Sequence, residues 1–339
     1  MRTVSYHPQE CSILIVTRNR QRLLRNCLEA LTRQSRIPGE VVVIENHRKK
    51  TAKRLCQEFQ ERLPIRYLYE KKQGRSYARN KALEVAHGEL LLFLDDDCIP
   101  QPDWVEEMLN AHNRIRRPII AVVGISRNLN SGNVWSEFVH HGTLRLFYQN
   151  TQNKPHHHRG KQYLKVGYFD SRNASIPRRL VTEDGLRFNT SLLKMEDIQF
   201  GHELVRRGIP IICNTRSIVF HSYPSSLKEF LKFYFESGMS VAMYKGLGTT
   251  KSKEIISAML SEEEKEKLLF LQKELMWQAE NRARREIALN STTFALVWML
   301  SKLANLLGQT RERLFPYGTE KMKTCHTNNR KSEPGKQPE

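Results

Sequence analysis

The run Glu89-Leu90-Leu91-Leu92-Phe93-Leu94 ends in three carboxylates, Asp95-Asp96-Asp97. A short apolar run with so sharp a polar end reads as a strand buried on both faces, the kind a parallel sheet requires. Open α/β sheets bind ligands at the carboxyl ends of such strands. Three adjacent acids repel one another, so something positive must offset them. A hard divalent cation, shared between carboxylates and substrate phosphates, is the economical partner. The competing reading is a surface acid cluster that caps a helix started near Pro100 and Pro102. Taken alone, the run does not choose between them.

The chain on either side does. Residues 12–16 are rich in β-branched side chains and predict a strand that stops at Thr17-Arg18-Asn19. Leu23, Leu24, Cys27, Leu28 and Leu31 follow at helical spacing. Residues 41–44 predict a second strand, ending at Glu45-Asn46, and Thr51 caps a helix carrying Leu55, Phe59 and Leu63. Residues 65–69 predict a third strand. Gly74 opens a helix that Gly88 closes. This alternation, with short connections, predicts a mainly parallel central sheet covered on both faces.

Residues 119–125 predict a further strand, after which the pattern weakens from 128 to 165. Residues 153–161, with His156-His157-His158, read as a solvated basic loop. Glu196-Asp197 start a helix bearing Ile198, Phe200, Leu204 and Val205. Residues 209–214 and 217–221 read as two short strands. Beyond Pro224 the chain reads as helical: an amphipathic face of Leu227, Phe230, Leu231, Tyr234 and Phe235, a long charged helix over 261–287, and an apolar one over 293–307. The expected division is a catalytic domain over 1–225, a helical extension over 226–315 and a basic, disordered tail over 316–339.

The formal charge of +19 predicts attraction to an anionic partner. The six cysteines (Cys11, Cys27, Cys56, Cys98, Cys213 and Cys325) show no CxxC pair and no regular spacing, which argues against zinc and for a reducing compartment. The first ten residues hold no apolar signal core, and no stretch reaches ~18 apolar residues. A cytoplasmic location is expected, with the basic C-terminal helices either attaching to an anionic membrane surface or packing on the catalytic domain, packing being the expectation for 293–307.

Residues 12–20 (Ser-Ile-Leu-Ile-Val-Thr-Arg-Asn-Arg), Gly74-x-Ser76-x-Ala78-Arg79-Asn80, Asp95-Asp96-Asp97 and Glu196-Asp197, in that order, resemble glycosyltransferase family 2. The resemblance covers about the first two thirds of the chain. It implies the GT-A fold, a nucleoside-diphosphate sugar donor of UDP or dTDP type, Mg²⁺ or Mn²⁺, and inversion at the anomeric carbon. By matching positions, it implies Asp97 as metal ligand, joined by His221. Asp96 would bond the ribose and Asp95 would support either acid. Arg79 would meet the diphosphate with a bidentate fork, beside Gly74 and Asn80. Thr17 and Asn19 would hold the nucleoside. Glu45 stands where the family has an aspartate touching the base, but in Glu-Asn-His-Arg rather than Asp-x-x-Ser, which leaves the base open. Asp197 would be the general base, with Glu196 beside it. Asn173 would lie near donor and acceptor. Polymerising, membrane-spanning members carry Gln-x-x-Arg-Trp, which is absent after His221, so one sugar is expected per binding event. The acceptor, a glycan, lipid-linked or small molecule, is left open.

Two other functions fit parts of the chain. A sugar-nucleotide nucleotidyltransferase would open with a glycine-rich phosphate loop, where this chain has Val16-Thr17-Arg18-Asn19-Arg20. An inactive basic module binding membrane or nucleic acid would explain the charge but not three acids at a phosphate-binding edge. Nucleic acid is therefore not an expected partner. Trp104 and Trp135 read as packing residues rather than sugar platforms.

Overall fold

The computed structural model describes residues 5–115, 117, 119–149, 162–192, 194–246 and 291–314. The expected loop at 153–161, the expected helix at 261–287 and the tail from 316 lie outside them. Strands β1 (Cys11–Thr17), β2 (Glu40–Glu45), β3 (Ile65–Tyr69) and β4 (Leu90–Asp95) alternate with helices α1 (Gln21–Leu31), α2 (Ala52–Phe59) and α3 (Arg75–Val85). The strands are parallel in the spatial order β3-β2-β1-β4. Their apolar runs lack a polar face because both faces are covered. Ile13, Ile15, Val41, Val43 and Leu92 pack with Leu24, Leu28, Phe59 and Trp104 on one side. Leu14, Val42, Leu91 and Phe93 pack with Ala78, Ala82, Phe200 and Leu204 on the other. Each fully buried Val, Leu, Ile or Phe among them contributes about 1.5–3 kcal/mol.

Beyond β4 the nine-stranded sheet becomes mixed. β8 (Asn173–Pro177) runs antiparallel between β4 and β6 (Ala121–Asn128). β9 (Ile211–His221) is parallel to β6, and β5 (Cys98–Pro100) and β7 (Tyr163–Val166) are antiparallel to β9. β8 has no sequence signal for a strand, since Asn-Ala-Ser-Ile-Pro carries one large apolar side chain. All five of its residues are nonetheless buried, flanked on both edges.

Residues 209–221, expected as two strands, contain one continuous strand, β9. Its register with β6 jumps from Val123–Cys213 to Ile125–Ile218. The bulge falls on Asn214-Thr215-Arg216-Ser217, the polar residues that broke the apolar pattern. Asn214 Nδ2 donates to the carbonyl of Glu107 at 2.8 Å, and Asn173 Nδ2 donates to that of Ser217 at 3.1 Å. Gly124 lies opposite, where a Cβ would stand 2.2 Å from the Ser217 carbonyl oxygen.

Helices α4 (Trp104–Arg114), α5 (Val134–Gln149), α6 (Arg179–Thr182) and α7 (Glu196–Arg206) complete the sheet domain. α5 lies in the stretch where periodicity weakened. α8 (Leu227–Gly246) and α9 (Ser291–Leu314) then pack antiparallel. At their crossing, a Cβ on Gly238 would meet the Asn305 carbonyl and one on Gly308 the Phe235 carbonyl, each at 1.9 Å. Val139, Tyr223, Phe230 and Val297 bind this pair to α5. Trp104 is wholly buried in the core, and Trp135 packs on Phe230 with ring centres 5.0 Å apart. Among the described residues, no helix is long and apolar enough to cross a membrane.

Candidate active site

The carboxyl ends of β1, β2 and β4, the end of β9 and the first turns of α3 and α7 supply the residues singled out above. Asp95 ends β4, and Asp96 and Asp97 form the turn into β5. Because β5 pairs with β9, Cys98 stands opposite His221. The Ser222 N–H donates to the Asp97 carbonyl at 3.1 Å. The backbone alone therefore brings Asp97 and His221 together.

Each acid of the triplet has its own partners. Asp95 Oδ1 accepts from Arg79 Nη2 at 3.0 Å. Asp96 is buried and accepts from the Thr17 hydroxyl at 2.7 Å, while Arg20 Nη1 bridges Asp96 at 3.2 Å and Asp97 at 2.7 Å. Burial and the adjacent Asp97 charge push the Asp96 pKa up. Burial opposes ionisation of Asp97 too, but His221 and Arg20 overcome it and hold its pKa well below the usual carboxylate range.

Asp97 Oδ1 is buried without a well-formed hydrogen bond and lies 3.3 Å from His221 Nε2. The other ring nitrogen, Nδ1, is also buried and unpartnered. Asp97, Cys98 and His221 each present a ligand atom, all within 4.8 Å of one another. Cys98 packs in the core beneath the site, so the carboxylate and imidazole are the candidate ligand pair. An oxygen and a nitrogen donor with unsatisfied buried atoms fit a divalent cation of the Mg²⁺ or Mn²⁺ kind.

Glu196 and Asp197 occupy the first turn of α7, where the helix dipole favours carboxylates. Glu196 is 1 % exposed, and its Oε1 takes a short charge-assisted bond from Arg79 Nη1 and lies 3.4 Å from Arg75 Nη1. Burial works against its charge, but Arg75 and Arg79 prevail and lower its pKa. Asp197 experiences the reverse. Burial and the adjacent Glu196 carboxylate raise its pKa to about 7. Its Oδ1 accepts the N–H of Ile198 at 2.9 Å. Two neighbouring carboxylates with opposed shifts have separable roles, one fixed as an anion and one poised to exchange a proton.

Several predicted residues hold the site together rather than face it. Arg79 is buried, its guanidinium shared between Asp95 and Glu196. Asn80 bonds both the N–H and the C=O of Phe188, each at 2.8 Å. Asn173 is fully buried and accepts from Trp104 Nε1 at 2.8 Å. Glu45 is fully buried and accepts from the N–H groups of Thr51 and Ala52 and the Tyr67 hydroxyl, at 2.7, 3.1 and 2.7 Å. Gly74, at φ 139°, donates its N–H to Asn46 Oδ1 at 2.8 Å and lets the chain turn into α3. Asn19, at φ 56°, is exposed in the turn after β1.

Sequence reasoning passed over two cations. Arg20 and Arg75 have side chains 45 % and 43 % exposed, and both lie among the acids. Arg75 stands one helical turn before Arg79 on the same face of α3, a relation the spacing alone carries. Asn46 was also missed: it accepts from Gly74 and donates to the carbonyls of Glu70 and Lys72 at 3.0 and 2.8 Å, fixing the loop before α3.

Residues 12–179 match the family described as Glycosyl transferase family 2. Among curated relatives, the glycosyltransferase AglE of Haloferax volcanii is 30 % identical over 146 residues, 42 % of this chain and 45 % of that protein. Validoxylamine A glucosyltransferase of Streptomyces hygroscopicus subsp. limoneus is 34 % identical over 110 residues, 31 % and 24 % of the two chains. The chain thus spans less than half the length of either. The mannosyltransferase PcManGT of Pyrobaculum calidifontis, solved with GDP-Man and Mn²⁺, aligns over 92 % of this chain and 88 % of its own, with a TM-score of 0.58 and 16 % identity. Residues 1–349 of S. aureus TarS, solved with UDP-GlcNAc, align over 90 % and 91 % with a TM-score of 0.51 and 14 % identity. These likenesses show the GT-A fold.

Proposed function

We propose that the chain, residues 12–179 of which match glycosyltransferase family 2, is a glycosyltransferase that moves one sugar from a nucleoside-diphosphate sugar to an acceptor hydroxyl, with inversion and with the help of a divalent metal. The observation that carries this is the pairing of two constellations at one sheet edge. Asp97 and His221 offer candidate metal-ligand atoms, and Asp197 is a proton acceptor beside a fixed anion.

Asp97 and His221 would hold Mn²⁺ or Mg²⁺, which stabilises the charge of the departing nucleoside diphosphate. Arg20 and Arg75, half-exposed among the acids, are the side chains with reach to phosphate oxygens. Arg79 instead holds Asp95 and Glu196 in place. Thr17 fixes Asp96 at the nucleoside side of the edge. Asp197 accepts the proton of the acceptor hydroxyl at a carboxylate oxygen as that oxygen attacks the anomeric carbon. One displacement by one base gives inversion.

The nucleotide sugars bound in the two similar structures, GDP-Man and UDP-GlcNAc, support a nucleotide-sugar donor. We read the donor as UDP- or dTDP-linked and the acceptor as a glycan, lipid-linked or small-molecule hydroxyl, in cell-surface glycan or lipid-linked oligosaccharide synthesis. The apolar face of α9 and the net charge of +19 support a peripheral position on the cytoplasmic face of an anionic membrane.

The test is release of nucleoside diphosphate from UDP-, dTDP- and GDP-sugars in Mn²⁺, with and without chelator, in the presence of an acceptor panel. Metal-dependent release from one donor class is expected. Release that is indifferent to chelator would exclude the metal role.

A further inference from the structure

The turn that carries Asp197 is clamped at both ends, and only one clamp belongs to the acid site. Met195, just before Glu196, sits in the left-handed region at φ 65°. A side chain other than glycine stays there only where its surroundings hold it. On the far side, Glu196 is fixed by Arg79 and Arg75. On the near side, Lys194 is fixed by α8. Its Nζ lies 3.0 Å from Glu236 Oε2, donates to the Phe233 carbonyl at 3.3 Å and stands 4.3 Å from the centre of the Phe233 ring. The Lys194 side chain is 17 % exposed, so this is a seated cation rather than a surface one. All three contacts come from one helix, outside the 12–179 stretch that matches the family. Asp197 itself makes no ion pair among the described residues, so its carboxylate is aimed by its backbone.

We propose that the Lys194–Glu236 ion pair is a positioning clamp for the Asp197 base, through which α8 of the helical extension sets the geometry of proton removal. The inference rests on the reading of Asp197 as the base. Without Glu236, Lys194 leaves its seat, Met195 relaxes toward ordinary backbone angles, and the first turn of α7 shifts. A carboxylate displaced by ~1 Å from a reacting hydroxyl loses on the order of 10²-fold in rate. The donor side, built on β1, β4 and α3, meets this turn through Glu196, which Arg75 and Arg79 continue to hold when Lys194 is released.

The experiment measures kcat, donor KM, half-saturating Mn²⁺ and Tm for Glu236→Gln and Lys194→Met in the full chain, with Asp197→Asn in parallel. The expected result is a kcat lowered about tenfold or more in both clamp variants, with donor KM, Mn²⁺ dependence and Tm unchanged. The double variant should be no worse than either single one. Wild-type kcat in both clamp variants would overturn the inference while leaving the base reading intact. A kcat that falls only together with Tm would make the pair structural and overturn it equally. A fully active Asp197→Asn would remove the base reading and this inference with it.

Discussion

Arg75 and Arg79 are one helical turn apart on α3, yet one is 43 % and the other 4 % exposed. Arg79 joins Asp95 to Glu196, so Arg79→Ala leaves two acids unpaired in a buried setting. Loss of about 3–5 kcal/mol in stability is expected, visible as a lowered melting midpoint. Arg75→Ala should keep the melting midpoint while donor KM rises roughly tenfold, the scale of one charge-assisted bond to phosphate. The reverse assignment of effects would refute these roles. Asp197 gives the pH dependence. A base works only as its anion, and this one has its pKa raised to about 7. The protonated, inactive form therefore dominates below that value, and kcat should climb as pH rises through it. Asp197→Asn should abolish that limb and lower kcat by roughly 10²–10⁴-fold. A wild-type kcat flat across that region would contradict the role. The acids were legible because their type and their place after apolar strands imply their chemistry. The arginines were not, since sequence does not say which of two cations on one helix face is covered by the packing of α7.

At the scale of elements, the parallel half of the sheet was readable because strands covered on both faces must be apolar throughout. β8 escaped because its burial is imposed by its neighbours β4 and β6. β9 looked like two strands because its bulge is polar, with the Ser217 carbonyl satisfied by Asn173 and the Asn214 amide by the Glu107 carbonyl rather than by the β6–β9 ladder. The end of β2 shows the same limit: Glu45 caps α2 with its carboxylate, a role its place at a strand end does not distinguish from ligand binding. α9 presents Leu296, Met299, Leu303, Leu306 and Leu307 to the outside while Gly308 and Ala304 face inward. An apolar stripe on a strongly basic chain should adsorb to anionic vesicles. Sedimentation with phosphatidylglycerol vesicles at low salt is expected, lost in Leu303→Glu/Leu306→Glu. Equal sedimentation of the variant would place the attachment elsewhere.

Across the molecule, one edge of the sheet gathers Thr17, Arg20, the three acids, Arg75, the α7 acids and His221 from separate parts of the chain. Order along the sequence predicted that edge, since strands running one way deliver their carboxyl ends together. The closing contribution, His221 against Asp97, depends on the β5–β9 pairing that no local pattern announces. The proposed role of this pair is to bind the metal that carries the nucleoside diphosphate. Its direct measurement is calorimetric titration of UDP, dTDP and GDP into the full chain with Mn²⁺, repeated with chelator and with Asp97→Ala. Binding of one nucleotide class with Mn²⁺ is expected, weakened at least ~10²-fold by chelator or by the substitution, the scale on which metal-site residues act. Binding of equal strength in all three conditions would contradict it.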